Sequence, residues 1–551
     1  ITMDGSLENS VFTSTAPHQY GLRFNGTGAR YDIKSKNLSI TGVEEIRSAD
    51  AAIQPAGGKV FVKNDGKLDA FTNATIVADT LNRYHTLTNA GVTINSRLSY
   101  SGNADYRYVN ISSDTFNIKL GGFEFAEVTP DGRILDSKGS GRLSTIARAS
   151  ISEKDQVYLA KKMLYVGQMT MLAPFKNLSL RGQVLPDLKK YPMIGGSWIN
   201  YAGSKSENVT INIDESLKDG GKPLYVGLHL KYGANSHGLY PSFLSMKSSA
   251  DDYDIFLARG IFGRDEPNQR FYVKPQNESD NTAEFYDDQG LMVLTGHFNL
   301  LGVPTKVFET VGKATVNLDS MKYRLETMML FDFPLPIPTV QKMGQNIVKT
   351  NLDAGNSNAA IEPDDEDFVQ KLSRIIGKTD TEKYKTNSQK GHIPLFKEST
   401  KFLKSLVLSK ADLQWNATAN AYYSTGPIGI SNIGDVDINA LVNGYVEVIQ
   451  SHSTGNELHI YLDLSPNNWY YFIYRNGQLG MVSSDEEVNR MVNTGGGKDK
   501  GVNFIDINEA NRFKKRFLIN YHGISEEEYN KQLKSPPKAV KKTKKEETEG
   551  F

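Results

Sequence analysis

Between Gly444 and Val492 the chain reads GYVEVIQSHSTGNELHIYLDLSPNNWYYFIYRNGQLGMVSSDEEVNRMV, a stretch that leaves few folds open. Val446, Val448 and Gln450 alternate with Tyr445, Glu447 and Ile449, the two-residue period of a strand. After Ser453-Thr454-Gly455-Asn456 a second run puts Leu458, Ile460, Leu462 and Leu464 on one face and His459, Tyr461 and Asp463 on the other. Ser465-Pro466-Asn467-Asn468 then turns the chain into Trp469–Tyr474. Asn476-Gly477 supplies the positive φ angles of a type I′ hairpin before Leu479–Val482. The pattern predicts an antiparallel meander closed by a short helix capped by Ser484 or Asp485. In Trp469–Tyr474 both faces are aromatic or apolar, so either both are buried or one is a recognition surface.

The same grammar runs backwards through the chain. Asn25-Gly26, Gly57-Gly58, Asp65-Gly66, Gly121-Gly122, Asp131-Gly132 and Gly195-Gly196 divide short β-rich runs from Tyr20 to about Thr339. Turns this frequent argue for sandwich, barrel or solenoid architecture rather than βαβ units. Runs such as Leu164–Gly167 and Leu178–Gly182, each ending in Gly, are read as stacked, irregular β layers.

At Phe331-Asp332-Phe333-Pro334-Leu335-Pro336-Ile337-Pro338 the text changes. Three prolines alternating with apolar residues make a stiff, extended linker or strap, because each ring fixes φ and removes an amide donor. Helical periods follow. Asp364 or Asp365 is placed to cap Asp367–Ile376, where Phe368, Leu372 and Ile375 share a face and Gly377 ends the helix. Lys401–Leu408 is read as a further helix with Phe402 and Leu406 on its apolar side. Beyond the meander, Asn508–Tyr521 and Ser525–Leu533 read as helices, the second with a capping box of Ser525 and Glu528. Lys538–Glu549 has almost no large apolar residue and is expected to be a disordered, charged tail.

The fold class that follows is mainly β: a long multi-layer β scaffold, irregular solenoid or sandwich in character, with a helical insert and a C-terminal antiparallel β meander. The expected divisions are a β-rich scaffold over 1–339, a helical insert over 340–410, a C-terminal sheet with terminal helices over 411–533, and the tail over 534–551.

Composition removes whole classes of chemistry. Lysine plus arginine and aspartate plus glutamate both total 63, so no global field draws the chain to nucleic acid or an anionic membrane. There is no cysteine, which excludes disulfides, thiolate metal sites and cysteine nucleophiles. No apolar run approaches the ~20 residues of a membrane helix. The first residue is Ile1, and the chain is expected to be a processed or truncated part of a longer product. Gly495-Gly496-Gly497-Lys498 lacks the spacing of a phosphate loop. Asp435–Asn439 starts like a calcium loop, but Ala440 and Val446 stand where its Gly and Glu belong. The doublets Asp251-Asp252 and Asp287-Asp288 point opposite ways if in strands and are read as loop polarity. The sequence therefore nominates no catalytic, cofactor-binding or metal-ligating residue.

Two segments carry a likeness. Asp79–Ile94 leading into Leu98–Tyr108, together with Asn468–Tyr474 and Ser483–Asn489, resembles the C-terminal part of large exported β-rich proteins of Bacteroidota, a family that includes the plug component of the type 9 secretion translocon. The resemblance implies a non-enzymatic subunit at the periplasmic face of the outer membrane, partnered by a large outer-membrane β-barrel protein and its associated subunits. It implies no catalytic residue and no cofactor. On this reading the partner-binding side chains are Phe331, Phe333, Leu335 and Ile337 of the strap, Phe368, Leu372, Ile375, Phe402 and Leu406 of the insert, and Trp469 and Tyr471 of the aromatic strand. The alternatives are a cell-surface glycan-binding or adhesive protein using Trp198, Tyr201, Trp469 and Tyr471 as stacking platforms, and a polysaccharide-cleaving β-helix enzyme with no nominated acid/base pair.

Overall fold

The computed structural model describes residues 2–6, 9–129, 133–135, 142–188, 190–203, 209–233, 238–277, 280–301, 307–356, 358–451, 455–495 and 502–532. The charged tail, Asp131-Gly132, Ser453-Thr454 and Gly496–Lys498 lie outside the described residues. The chain forms two compact units, Ile1–Asp187 with Ser197–Thr210, and Leu188–Gly196 with Ile211–Phe551.

The protein is mainly β, as its turn grammar predicts. Among the described residues the first unit carries a fifteen-stranded sheet running from Thr2–Ser6 to Ile199–Gly203, and a three-stranded one of Gly28–Asp32, Asn37–Thr41 and Val60–Val62. The second carries a sixteen-stranded sheet from Ile211–Ile213 to Val502–Phe504 and a three-stranded one of Leu239–Ser245, Tyr225–Leu230 and Tyr253–Leu257. Both long sheets run nearly in chain order, because short turns return most strands beside their predecessors; Lys322–Phe331 and Leu406–Asn416 are neighbours although residues 332–405 lie between them. The described ladders are antiparallel except where Val502–Phe504 pairs parallel with Gln478–Ser483. At the predicted hairpin, Asn476 and Gly477 take φ of +52° and +78° between the paired Arg475 and Gln478.

The Gly-ended runs lie side by side. Met163–Leu172 pairs with Ser179–Pro186 so that Gly167 faces Gly182, and a Cβ on Gly182 would stand 2.1 Å from the Val166 carbonyl oxygen. The glycines permit close backbone approach within one ladder.

The second unit holds the helices that flank its sheet. Pro336 precedes α1 (Ile337–Asp353), and Pro338 lies in its first turn, where a missing amide donor costs nothing. α1 packs against Val436–Val442 at Gly344, where a Cβ would meet the Val436 side chain at 2.7 Å. α2 (Glu366–Ile376) is capped by Asp365, which accepts the Phe368 amide, and ends at Gly377 with φ +86°. α3 (Lys378–Ser388) follows at once, then α4 (Leu395–Glu398). The expected helix over Lys401–Leu408 is not formed. Thr400–Phe402 makes one 3₁₀ turn, and Leu406 opens the strand Leu406–Asn416. That strand pairs with Lys322–Phe331 and buries both faces of Leu406, Val407 and Leu408, so its continuous apolar run reads equally as helix or strand.

Past the meander come α5 (Glu486–Gly495), α6 (Ile507–His522) and α7 (Glu526–Gln532). Asp485 caps α5 by accepting the Glu487 and Val488 amides. Ser525 and Glu528 make the expected capping box, with both reciprocal bonds in place.

Candidate functional site

The strand Tyr225–Leu230 is the middle of its three-stranded sheet, and its register brings three scattered polar side chains together. His229 lies opposite Tyr240 on one neighbour and Asp254 on the other. Ser242 lies opposite Gly227. The His229 ring bonds to both neighbouring strands: Nε2 is 2.7 Å from Ser242 Oγ and Nδ1 is 2.8 Å from Asp254 Oδ1. Both ring nitrogens of His229 are thereby engaged, one with the Asp254 carboxylate and one with the Ser242 hydroxyl. Lys247 Nζ donates to the same carboxylate at 3.2 Å and to the Asp252 carbonyl at 3.0 Å. Burial works to raise the Asp254 carboxyl, but the His229 hydrogen bond and the charges beside it hold it below the usual range.

Serine, imidazole and carboxylate stand here in the order of a nucleophile, its base and its orienting acid. Access is what is missing. Ser242 and His229 are fully buried. A cavity of about 270 Å³ borders Asp254, Tyr225 and Val226, but Ser242 is not in its wall. The arrangement fixes three strands to one another through a satisfied polar network. The neighbouring doublet joins in: Asp252, 5% exposed, accepts from Tyr240 Oη at 2.5 Å, the Ser249 amide at 2.8 Å and the Tyr232 amide at 3.0 Å. Asp287 pairs with Arg264 at 3.0 Å, both nearly buried. Each doublet lies in a loop or turn as expected, with Asp251 and Asp288 exposed, while Asp252 and Asp287 turn inward as braces.

Sequence reasoning missed the cluster because its members come from separate strands. The signal present was one polar residue at an inward position in each of three short β runs.

The aromatic strand is Asn468–Arg475, paired on both sides and buried from Asn468 to Ile473. Trp469, Tyr471 and Ile473 face α6, packing with Tyr461, Val482, Ala510, Phe513 and Phe517. Trp469 lies over Tyr461 at 5.5 Å, and Tyr471 over Phe513 at 5.2 Å. Two strands away, the fully buried Glu447 accepts from Nη1 and Nη2 of Arg516 and from the Tyr521 hydroxyl, so α6 is held by a buried carboxylate as well as by area. On the opposite face Phe472 meets Phe333, and Tyr470 Oη lies 3.4 Å from Asn346 of α1.

The other nominated side chains are spent in the same way. Phe368, Leu372, Ile375 and Phe402 pack with Tyr384 and Leu395 on Val311, Met328, Leu330 and Val407 of the sheet. Each such side chain contributes roughly 1.5–3 kcal/mol by leaving water. Phe331 and Leu406 are fully buried as cross-strand partners, Phe333 is 4% exposed, and Leu335 is half-buried. Ile337, expected in the extended strap, instead opens α1 together with Pro338 and is 73% exposed. In the first unit Trp198 is half-buried and Tyr201 is 9% exposed.

No protein-family model, curated protein or solved structure matches the chain.

Proposed function

We propose that the chain is a non-enzymatic structural subunit of an outer-membrane assembly, exported to the periplasmic face and docked on a large β-barrel protein whose mouth it plugs. The observation that carries this reading is the two-sided cover on Asn468–Arg475, with α6 on one face and the Phe333 strap and α1 on the other. Groups that elsewhere do chemistry or recognition are used here as internal fasteners, which is what an element working by occlusion requires. The barrel and the secretion setting rest on the likeness of Asp79–Ile94, Leu98–Tyr108, Asn468–Tyr474 and Ser483–Asn489 to exported Bacteroidota proteins.

Removing residues 340–410 would strip cover from Met328 and Leu330, so that deletion tests folding rather than docking. Surface changes are cleaner. Ile337 and Leu352, 73% and 74% exposed, stand at the two ends of α1. Affinity purification of the native protein from outer membranes should recover a barrel protein in stoichiometric amount. Ile337→Asp with Leu352→Asp should lower that recovery without moving the thermal melt. Recovery of no barrel protein at all would defeat the proposal.

A further inference from the structure

The three-stranded sheet of the first unit has one covered edge and one open edge. At Val60–Val62 the edge is covered: Val62 bridges to Leu68, and the Asp69 amide donates to the Phe61 carbonyl at 2.8 Å. Gly28–Asp32 forms the other edge, and among the described residues it pairs with Asn37–Thr41 alone. Ala29, Arg30, Tyr31 and Asp32 are all exposed there. An open edge offers its unpaired backbone donors and acceptors to any strand of matching pattern.

The two faces of this edge differ in character. On one, burial fades outward from row to row: Val62 is 4% exposed, Leu38 opposite it is half-buried, and Tyr31 opposite Leu38 is 57% exposed. Ile33, the first residue of the turn that follows, is 81% exposed. A further strand would carry this apolar row across Tyr31. The other face carries Arg30 and Asp32, since alternate residues of a strand point to opposite sides. Asp32 Oδ1 accepts the Lys34 and Ser35 amides at 2.9 and 3.4 Å, which steadies the carboxylate at the strand end. A carboxylate so held keeps acceptor capacity for a guanidinium.

Charges on an edge normally keep other strands away. These two match each other. Two copies of the edge laid antiparallel about a two-fold axis at Tyr31 set Arg30 of each copy opposite Asp32 of the other. Tyr31 then meets Tyr31, and Ala29 meets Ile33, so one side of the joined sheet is apolar and the other holds two ion pairs. Centring on Arg30 would set Arg30 against Arg30, and centring on Asp32 would set Asp32 against Asp32 and Arg30 against Lys34. Centring between residues would set Tyr31 opposite Arg30 or Asp32 and leave the ion pairs unmade. One register satisfies both faces.

We infer that the chain pairs with a second copy of itself along Gly28–Asp32, antiparallel and centred on Tyr31, joining two three-stranded sheets into one continuous sheet. The opposite edge of each sheet is covered, so the pairing closes at the dimer. The contact is small against the ~1,200–2,000 Å² of standard interfaces, which makes the dimer weak and reversible. This reading is independent of docking on a barrel.

Sedimentation equilibrium of the full chain between about 5 μM and 0.5 mM tests it. The data should fit a monomer–dimer equilibrium with no larger species. Arg30→Asp turns two attractive pairs into two repulsive ones and should weaken the dimer about tenfold. Adding Asp32→Arg to Arg30→Asp restores complementarity and should bring the dimer back to within about threefold of the parent. Mixing the Arg30→Asp chain with an Asp32→Arg chain should likewise give a mixed dimer tighter than either forms with itself. Where Asp32→Arg unsettles the turn, Arg30→Asp with Asp32→Asn keeps an Oδ1 acceptor and should still associate more tightly than Arg30→Asp alone. A chain that stays monomeric at the highest concentration overturns the inference. So does a dimer that Arg30→Asp leaves unchanged, or one that neither change at Asp32 recovers.

Discussion

The ring of Phe333 stacks on that of Phe472, centroids 5.4 Å apart and planes 24° from parallel. Phe333 comes from the Pro-rich strap and Phe472 from the middle of the aromatic strand, so one contact ties the start of α1 to the far end of the sheet. Its other face meets Phe331 at 5.2 Å, and its amide donates to Ser405 Oγ at 2.6 Å. The strap is extended because of its prolines, and it is anchored because of these rings.

Phe333→Ala should therefore cost the second unit about 3–5 kcal/mol, the range for truncating a buried aromatic. Denaturant unfolding followed by hydrogen exchange on α1 checks it. A loss below about 1 kcal/mol would mean that the strap packs without the ring.

The α6 clasp predicts an asymmetry. Glu447 has no exposure, whereas the Arg516 side chain retains 40%. Arg516→Ala leaves a buried carboxylate with the Tyr521 hydroxyl as its remaining clasp donor, at a cost of about 3 kcal/mol, the low end for an orphaned buried charge because water can follow. Replacing both partners, as Glu447→Leu with Arg516→Met, removes the charge and should cost less than Arg516→Ala alone. Protease release of α6 in the three proteins gives the order, and the reverse order would rule out the carboxylate as the source of the effect.

The three-stranded sheet should weaken in acid. At Asp254 and Asp252 burial pushes the carboxyl upward, but hydrogen bonds and the Lys247 charge prevail and leave both below the usual value. A carboxyl lowered on folding contributes stability that is complete above its unfolded value, near pH 4, and is lost as pH falls through the folded value. Melting temperature should thus hold down to about pH 4 and then fall. Asp254→Asn should lower it at neutral pH and flatten the acid limb. An unchanged limb would assign the acid loss to other carboxylates.

What could be read in advance follows from whether a signal is local. Asn476-Gly477, the Asp365 cap and the Ser525–Glu528 box involve residues a few positions apart, and each forms as its spacing requires. The two-sided burial of Trp469–Ile473 was legible too, because both faces are apolar in the text itself. Leu406-Val407-Leu408 was not, since an apolar run fully buried in a central strand carries no period to separate it from a helix. Nor was the destination of Phe368, Leu372 and Ile375: an amphipathic face announces that it will be covered, and only the register of Phe308–Asn317 and Lys322–Phe331 decides that the cover is this chain's own sheet. The Ser242–His229–Asp254 cluster is the extreme case, created wholly by cross-strand register.

That cluster supplies the sharpest test of a non-catalytic reading. Attack by Ser242 Oγ needs a reacting carbon about 3 Å away and donors for the developing oxyanion. Here the oxygen is buried between strands, 2.7 Å from His229, and outside the wall of the cavity that borders Asp254. A fluorophosphonate probe should therefore leave Ser242 unlabelled in the folded chain, as peptide mass mapping would show. Ser242→Ala should nonetheless lower stability by about 1–3 kcal/mol, because His229 Nε2 loses its hydrogen-bond partner inside the sheet. His229→Ala should cost more, since it orphans both Ser242 and Asp254 and leaves a cavity. Stoichiometric labelling of Ser242, abolished by His229→Ala in a protein that still melts cooperatively, would make the chain an enzyme and overturn the structural reading of its polar core.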